Sequence, residues 1–214
     1  MSKSVVIIGA SGFGREVLWL IERINDSAAE KWEILGFIDD DESLQGKSVN
    51  GYDVIGTLDS INQFADSYFV CAIGNAKTRK KIIEKIHSIN DKIKFCTLID
   101  PDVTISNLVD IGEGTIICAG SIVTVNIKIG KHCIVNLDCT IGHDAIIEDY
   151  VTMYPSVNVS GAVSIGELCE LGTGAQIIQG INICSSAIIG AGTVIVKSID
   201  ESGTYVGAPA KRIK

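Results

Sequence analysis

From Ile99 onward an aliphatic side chain recurs at every sixth position: Ile99, Ile105, Ile111, Ile117, Val123, Ile129, Val135, Ile141, Ile147, Met153, Val159, Ile165, Leu171, Ile177, Ile183, Ile189 and Ile195. Seventeen in a row without an insertion would arise by chance on the order of once in 10^8 for a fixed register, if about one residue in three is aliphatic. Two residues before each stands a small or β-branched residue, among them Val103, Thr115, Ser121, Cys133, Cys139, Ala145, Val157, Cys169 and Ala187. Glycine often follows the aliphatic, as at Gly112, Gly130, Gly142, Gly166, Gly172 and Gly190. A turn with a permissive backbone is expected at those glycines.

A period of six suits neither an α-helix nor a meander. It predicts a triangular coil of three short strands, with eighteen residues to a turn, so that residues i and i+18 stack. The large aliphatic points inward near each corner and the small residue fills the remaining interior. Cys133, Cys139 and Cys169 are therefore expected to serve packing.

Before the repeat the pattern changes. Val5 to Ile8 reads as a buried strand running into Gly9-Ala10-Ser11-Gly12-Phe13-Gly14, followed by a helix with Val17, Leu18, Ile21 and Ile24 on one face. Ile34 to Ile38 is a second strand, ending in Asp39-Asp40-Asp41. Tyr68 to Ile73 is a third, running into Gly74-Asn75, and a helix with Ile82, Ile83, Ile86 and Ile89 inward follows. Strand alternating with helix implies a Rossmann-like parallel sheet. The expected organisation is an α/β Rossmann-like domain over 1–95, an all-β parallel β-helix over 96–200 and a tail over 201–214.

Composition narrows the function. With 46% hydrophobic and 21% charged residues the chain is globular, and a net charge of −8 argues against a nucleic-acid partner. Lys77, Arg79, Lys80, Lys81 and Lys85 cluster in one helix and are expected to form a solvated face. No segment has the length of apolar residues that a membrane span needs. No signal-peptide core is legible at the N-terminus, and seven cysteines without paired spacing suggest reduced thiols and a cytoplasmic location.

The glycine turn, G-x-x-G-x-G, places backbone N–H groups and the positive end of a helix where an anion can bind. Carboxylates closing the second strand can accept from ribose or base donors. Of the three histidines, His87 and His132 are expected on the surface. His143 follows Gly142, projects outward and precedes Asp144, a carboxylate able to fix its tautomer. Gly161 lies eighteen residues on and should stack directly beneath it.

The hexapeptide pattern over about 99–195, with the ending Val206-Gly207-Ala208-Pro209-Ala210-Lys211, resembles the left-handed β-helix acyltransferases. The order of glycine turn, Asp39-Asp40, Ile73-Gly74-Asn75 and hexapeptides is similar to the bacterial sugar acetyltransferases, which include nucleotide-4-amino-sugar N-acetyltransferases and sialic acid O-acetyltransferases. The resemblance implies the left hand of the coil, a homotrimer and acetyl-CoA as co-substrate, without a metal. It implies His143 as general base with Asp144 as its partner, and the Gly161 N–H as oxyanion donor. Substrate contacts are implied for Gly12, Phe13, Gly14, Asp39, Asp40, Gly74, Asn75 and Asn136, and cofactor contacts for Thr152, Thr173 and Ala191. Relatives often carry histidine where this chain has Phe13 and Thr152. The expected activity is N-acetylation of a nucleotide-linked 4-amino-4,6-dideoxysugar, with O-acetylation of sialic acid or a related sugar as the alternative. A non-catalytic scaffold is a further class. A hexapeptide metal hydratase would need three histidine ligands where the coils hold only His132 and His143.

Overall fold

The computed structural model describes residues 3–214. They divide into two compact units, one running up to Gly74 and including Thr78–Pro101, the other made of Asn75–Lys77 and Asp102–Lys214. Among the described residues no helix is long and apolar enough to cross a membrane.

In the first unit the chain runs β1 (Lys3–Ile8), α1 (Gly12–Ser27), β2 (Trp32–Ile38), β3 (Ser48–Val49), β4 (Tyr52–Gly56), β5 (Tyr68–Cys71), α2 (Ala76–Ile89) and β6 (Lys94–Phe95). The sheet order is β3-β4-β2-β1-β5-β6. All neighbours are parallel except the β3–β4 hairpin. Val5, Val6, Ile7 and Ile8 are all buried, as a strand covered on both faces requires. The chain leaves β1 on one side for β2 and returns on the other as β5. That reversal is the topological switch point at which open α/β sheets bind ligands. The β3–β4 hairpin and β6 were not expected from the sequence. The hairpin turns through Asn50 and Gly51, at φ 49° and 88°, the Asn-Gly signature of a type I′ turn.

In the second unit each expected aliphatic from Ile105 to Ile195 ends a short strand. Partners stand eighteen apart: Ile117 with Val135, Met153 and Leu171; Val123 with Ile141, Val159 and Ile177; Ile129 with Ile147, Ile165 and Ile183. Three parallel sheets result, one to each side of the coil. The small inward class is buried throughout its middle, with Cys139, Ala145, Val151, Val157, Val163, Cys169 and Ala175 at 0% exposure. Five of its polar members share one solution, whereas the buried Thr193 Oγ1 has no hydrogen-bond partner among the described residues. Thr115 Oγ1, Ser121 Oγ, Cys133 Sγ, Cys139 Sγ and Cys169 Sγ each donate to the carbonyl fifteen residues ahead, so a hydroxyl or thiol is satisfied inside the coil. Burial pushes the Cys139 thiol up to about 11 and the Cys169 thiol to about 12. Unreactive packing thiols follow from that.

The glycines after the aliphatics do not supply the turn backbone expected of them. Left-handed backbone falls three residues after each aliphatic, at every sixth residue from Gly114 to Gly192, and nine of those fourteen residues are not glycine. The glycines directly after the aliphatics serve close approach instead. A β-carbon at Gly142 would stand 2.6 Å from the Gly161 nitrogen, and one at Gly172 would stand 2.6 Å from the Ala191 nitrogen. Coils stacked at strand spacing leave no room there for a side chain. At the end of the coil Thr204–Val206 pairs with Ile188–Ile189, and Lys211–Arg212 folds back antiparallel on it. This caps the end of one of the three sheets with a short, charged edge strand.

Candidate functional site

His143 sits at the corner after the strand Thr140–Ile141. The coil ladder holds its backbone: the Ala162 N–H donates to the His143 carbonyl at 2.8 Å, and the Asp144 N–H donates to the Val125 carbonyl at 3.1 Å. Asp144 takes φ 60°, which turns its carboxylate back toward the imidazole. His143 Nδ1 and Asp144 Oδ2 are 2.8 Å apart. That bond, and secondly one from Asn126, hold the Asp144 carboxyl below the usual carboxylate range. A carboxylate accepting from Nδ1–H leaves Nε2 as the unprotonated nitrogen of the neutral ring. Both side chains are more than half exposed, at 65% and 55%.

Gly161 lies under this ring, as the eighteen-residue period required. A methyl group there would stand 2.5 Å from His143 Nε2 and 2.6 Å from Cε1. Any side chain at 161 would displace the imidazole. Among the described residues no acceptor takes the Gly161 N–H. A basic nitrogen and an uncommitted backbone donor thus meet at one open corner, which is the pairing that acyl transfer uses.

The other expected residues of this unit separate. Thr173 and Ala191 stack at one exposed corner, with the Gly192 N–H on the Thr173 carbonyl at 2.8 Å. Thr152 is on a different side, between Ile134 and Glu170, and is only 1% exposed. Asn136 is 8% exposed, and its Oδ1 accepts from the Leu137 N–H at 2.7 Å. Among the described residues no hydrogen bond joins it to His143. Asn75 Nδ2 donates to Glu170 Oε1 at 2.6 Å, while Glu170 Oε2 accepts from the Tyr154 hydroxyl at 3.2 Å.

His132 differs from expectation. It is 3% exposed, its ring stacked on Tyr150 at 5.3 Å and 17°. Both residues stand at left-handed corners one coil apart, at φ 51° and 59°. That backbone lays the two rings against each other along the coil. His87 is exposed, as expected, with its ring edge-on to Phe95 at 5.7 Å.

In the first unit the glycine turn closes the carboxyl end of β1. Gly9 takes φ 99°, and a β-carbon there would stand 2.7 Å from Ile73 Cδ1. A β-carbon on Gly14 would overlap the Gly9 carbonyl oxygen. Gly14 is therefore required by the tight packing of α1 on the turn, whatever else it touches. Gly12 is exposed and Phe13 half-buried. Asp39 ties the turn down, with Oδ2 accepting from the Ala10 N–H at 2.8 Å and Oδ1 from the Asp41 N–H at 2.9 Å. Asp40 Oδ1 accepts from the Leu58 N–H at 2.9 Å, and Lys85 Nζ lies 3.8 Å from Oδ2. A cavity of about 120 Å³ opens at the carboxyl ends of β1, β2 and β5. Gly9, Asp39, Asp40, Leu58, Ile73 and Ile82 are among its walls.

Arg79 also departs from expectation. It is 1% exposed, and Nη1 donates to the carbonyls of Ile73 and Gly74 at 2.7 and 2.9 Å. The signal for this was present, because Ala76, Arg79, Ile83 and Ile86 fall on one helical stripe, and all four are buried.

Comparison with known proteins agrees with this anatomy. Residues 4–86 match the family model of the PglD N-terminal domain. The chain is 32% identical over 216 residues to the GDP-perosamine N-acetyltransferase of Escherichia coli O157:H7, covering 97% of this chain and 95% of that protein. The acetyltransferase domain of PglB from Neisseria gonorrhoeae FA1090 superposes with TM-score 0.89 at 33% identity, over 99% of this chain and all of that one. The same domain has been solved with acetyl coenzyme A. A mutant perosamine N-acetyltransferase from Caulobacter crescentus, in complex with CoA and GDP-perosamine, superposes with TM-score 0.88 at 28% identity, over 99% and 97% of the two chains. With its repeat, its glycine-turn sheet and full-length relatives of one kind, the chain belongs to the bacterial sugar acetyltransferases of the left-handed β-helix, hexapeptide-repeat superfamily.

Proposed function

We propose that this chain transfers the acetyl group of acetyl-CoA to the amine of a nucleotide-linked 4-amino-4,6-dideoxysugar, with His143 as general base. The observation that carries the reading is the corner at which His143, oriented by Asp144, stands over the bare backbone of Gly161. His143 Nε2 takes a proton from the sugar amine as its nitrogen attacks the thioester carbonyl. The Gly161 N–H donates to the oxyanion of the tetrahedral intermediate. On collapse the C–S bond breaks, CoA leaves as the thiolate, and the proton on His143 passes to it. Asp144 stabilises the imidazolium in between.

The residues over 1–95 hold the nucleotide sugar in this reading and those over 96–200 carry the transfer, with 201–214 as a tail. The Gly12-Phe13-Gly14 turn takes the phosphates at the start of α1. Asp39 and Asp40 accept from base or ribose, and Gly74, Asn75 and Asn136 are the further substrate contacts of this reading. Thr173 and Ala191 line the acetyl-CoA groove. Thr152, enclosed within the chain, acts on the cofactor through backbone or packing where relatives carry a histidine. The protein works in the cytoplasm as a homotrimer. The substrates named for the Escherichia coli and Caulobacter crescentus relatives support N-acetylation of a nucleotide-linked sugar over O-acetylation.

The test is thiol release from acetyl-CoA with GDP-, UDP- and dTDP-linked 4-amino-4,6-dideoxysugars and with free sialic acid, beside His143→Ala. Turnover of one nucleotide amino sugar, abolished in the variant, is the expected result. Turnover of sialic acid alone would overturn the N-acetyl reading, and full activity in His143→Ala would overturn the base.

A further inference from the structure

Asn126 occupies the corner one coil before Asp144. The two corners lie in register, because Lys128 pairs with Ile146. Both residues adopt the left-handed backbone, at φ 57° and 60°, which asparagine and aspartate accept more readily than most side chains. Asn126 Nδ2 donates to Asp144 Oδ1 at 3.2 Å, while Oδ2 of the same carboxylate faces His143 Nδ1 at 2.8 Å. An ionised carboxylate only accepts, so the carboxamide turns its NH2 group toward it.

We propose that Asn126 is a positioning residue for the transfer reaction, gripping the second oxygen of Asp144 and thereby setting the direction in which His143 Nε2 points. The inference rests on the reading of His143 as base. Its physical content is rotational. A carboxylate held at one oxygen swings freely about its last torsion, which has a broad and shallow profile. Held at both oxygens, its plane is set, and with it the axis of the bond to Nδ1. The imidazole is open to solvent on its outer side, so packing alone does not fix its plane. Among the described residues Asn126 is the only side chain that donates to Oδ1. The coils on either side present Val125 with Asn126 and Gly161 with Ala162, none of them charged, and among the described residues Asp144 is the ionised group paired with the ring. After the His143 bond, the Asn126 bond is also the next largest cause that lowers the Asp144 carboxyl.

Three variants test this: Asn126→Gly, Asn126→Asp and His143→Ala. Glycine keeps the left-handed backbone at no steric cost and removes only the side chain, so loss of the bond is read without backbone strain. Steady-state kinetics with acetyl-CoA and GDP-perosamine give kcat and both KM values. A 13C NMR titration of the Asp144 carboxyl reads the bond without any turnover. Expected for Asn126→Gly is a fall in kcat of about three- to tenfold, with both KM values and Tm unchanged, as loss of one solvent-exposed hydrogen bond implies. The Asp144 titration moves to higher pH. Asn126→Asp sets one carboxylate against another and lowers kcat further, with a larger upward movement of Asp144. An Asp144 titration and a kcat that both stay at the parent values overturn the proposal, and so does a fall in kcat matched by a fall in Tm. If His143→Ala keeps its turnover, the base reading fails. Asn126 then has no part in catalysis, even where the titration still reports its bond to Asp144.

Discussion

The two units of this chain solve the same problem, placing a few polar groups at the end of apolar strands, by opposite means. In the coil, neighbours in space are neighbours in a period. His143 meets Gly161 and Asp144 meets Asn126 at a spacing of eighteen residues. In the sheet unit the contacts that shape the cavity span irregular separations, as from Ala10 to Asp39, from Leu58 to Asp40 and from Arg79 to Ile73. A repeating backbone makes register, and therefore chemistry, countable. An open sheet leaves it to the turns.

The strongest way to break this contrast is at the corner itself. His143→Ala should lower kcat by about 10³-fold, the scale of a general base, with Tm hardly changed because the side chain is largely exposed; stopped assays and a thermal melt check both halves. Two residues earlier the same coil is all packing. Ile141→Ala, at a fully buried position, should cost about 2–5 kcal/mol of stability by denaturant unfolding, and its kcat in the folded fraction should remain that of the parent. If instead activity fell and stability held, inward and outward positions would not divide the labour as described.

Gly161→Ala sharpens the comparison further. A methyl group 2.5 Å from Nε2 must push the ring aside, and a displacement near 1 Å should lower kcat by about 10²-fold, with no change in the KM for the nucleotide sugar. In the sheet unit Asp40→Asn should do the reverse, raising that KM by about tenfold through loss of a charged acceptor while kcat and the KM for acetyl-CoA stay put. Equal effects on both substrates would mean that the cavity does not serve the nucleotide.

The smallest expected effect concerns pH. Asp144 is held below the usual carboxylate range, first by His143 and then by Asn126. A carboxyl depressed on folding adds stability above its unfolded value and loses it as the pH falls through the folded value. The difference in Tm between the parent and Asp144→Asn should therefore be largest near neutrality and vanish in acid.

Much of this anatomy was legible in advance, and the exceptions are instructive. The hexapeptide register predicted the strands from residue 104 to 195 and the stacking of His143 on Gly161. Asn126 was reachable by the same arithmetic, eighteen residues back from Asp144, yet it stands in no motif that would prompt the count. His132 was misplaced because the period says which residues point outward, while a left-handed corner decides whether an outward ring lies free or along the coil. The glycines after the aliphatics read as turn residues in a sequence, whereas the close approach of the next coil requires them. The charge of Arg79 points to solvent, but its place on the Ala76, Ile83 and Ile86 stripe buries it.

By itself the amino-acid sequence determined the coil, its register and the corner where His143 and Asp144 stand, because a strict period leaves one way to bury a line of aliphatics and so fixes which residues stack. Only the tertiary structure decided how Asp39 ties down the glycine turn, how Arg79 binds the carbonyls after β5, and that Asn126 holds the far oxygen of Asp144. Those contacts depend on backbone directions at turns and corners and on polar groups finding partners across a fold, and neither is written in the spacing of apolar residues.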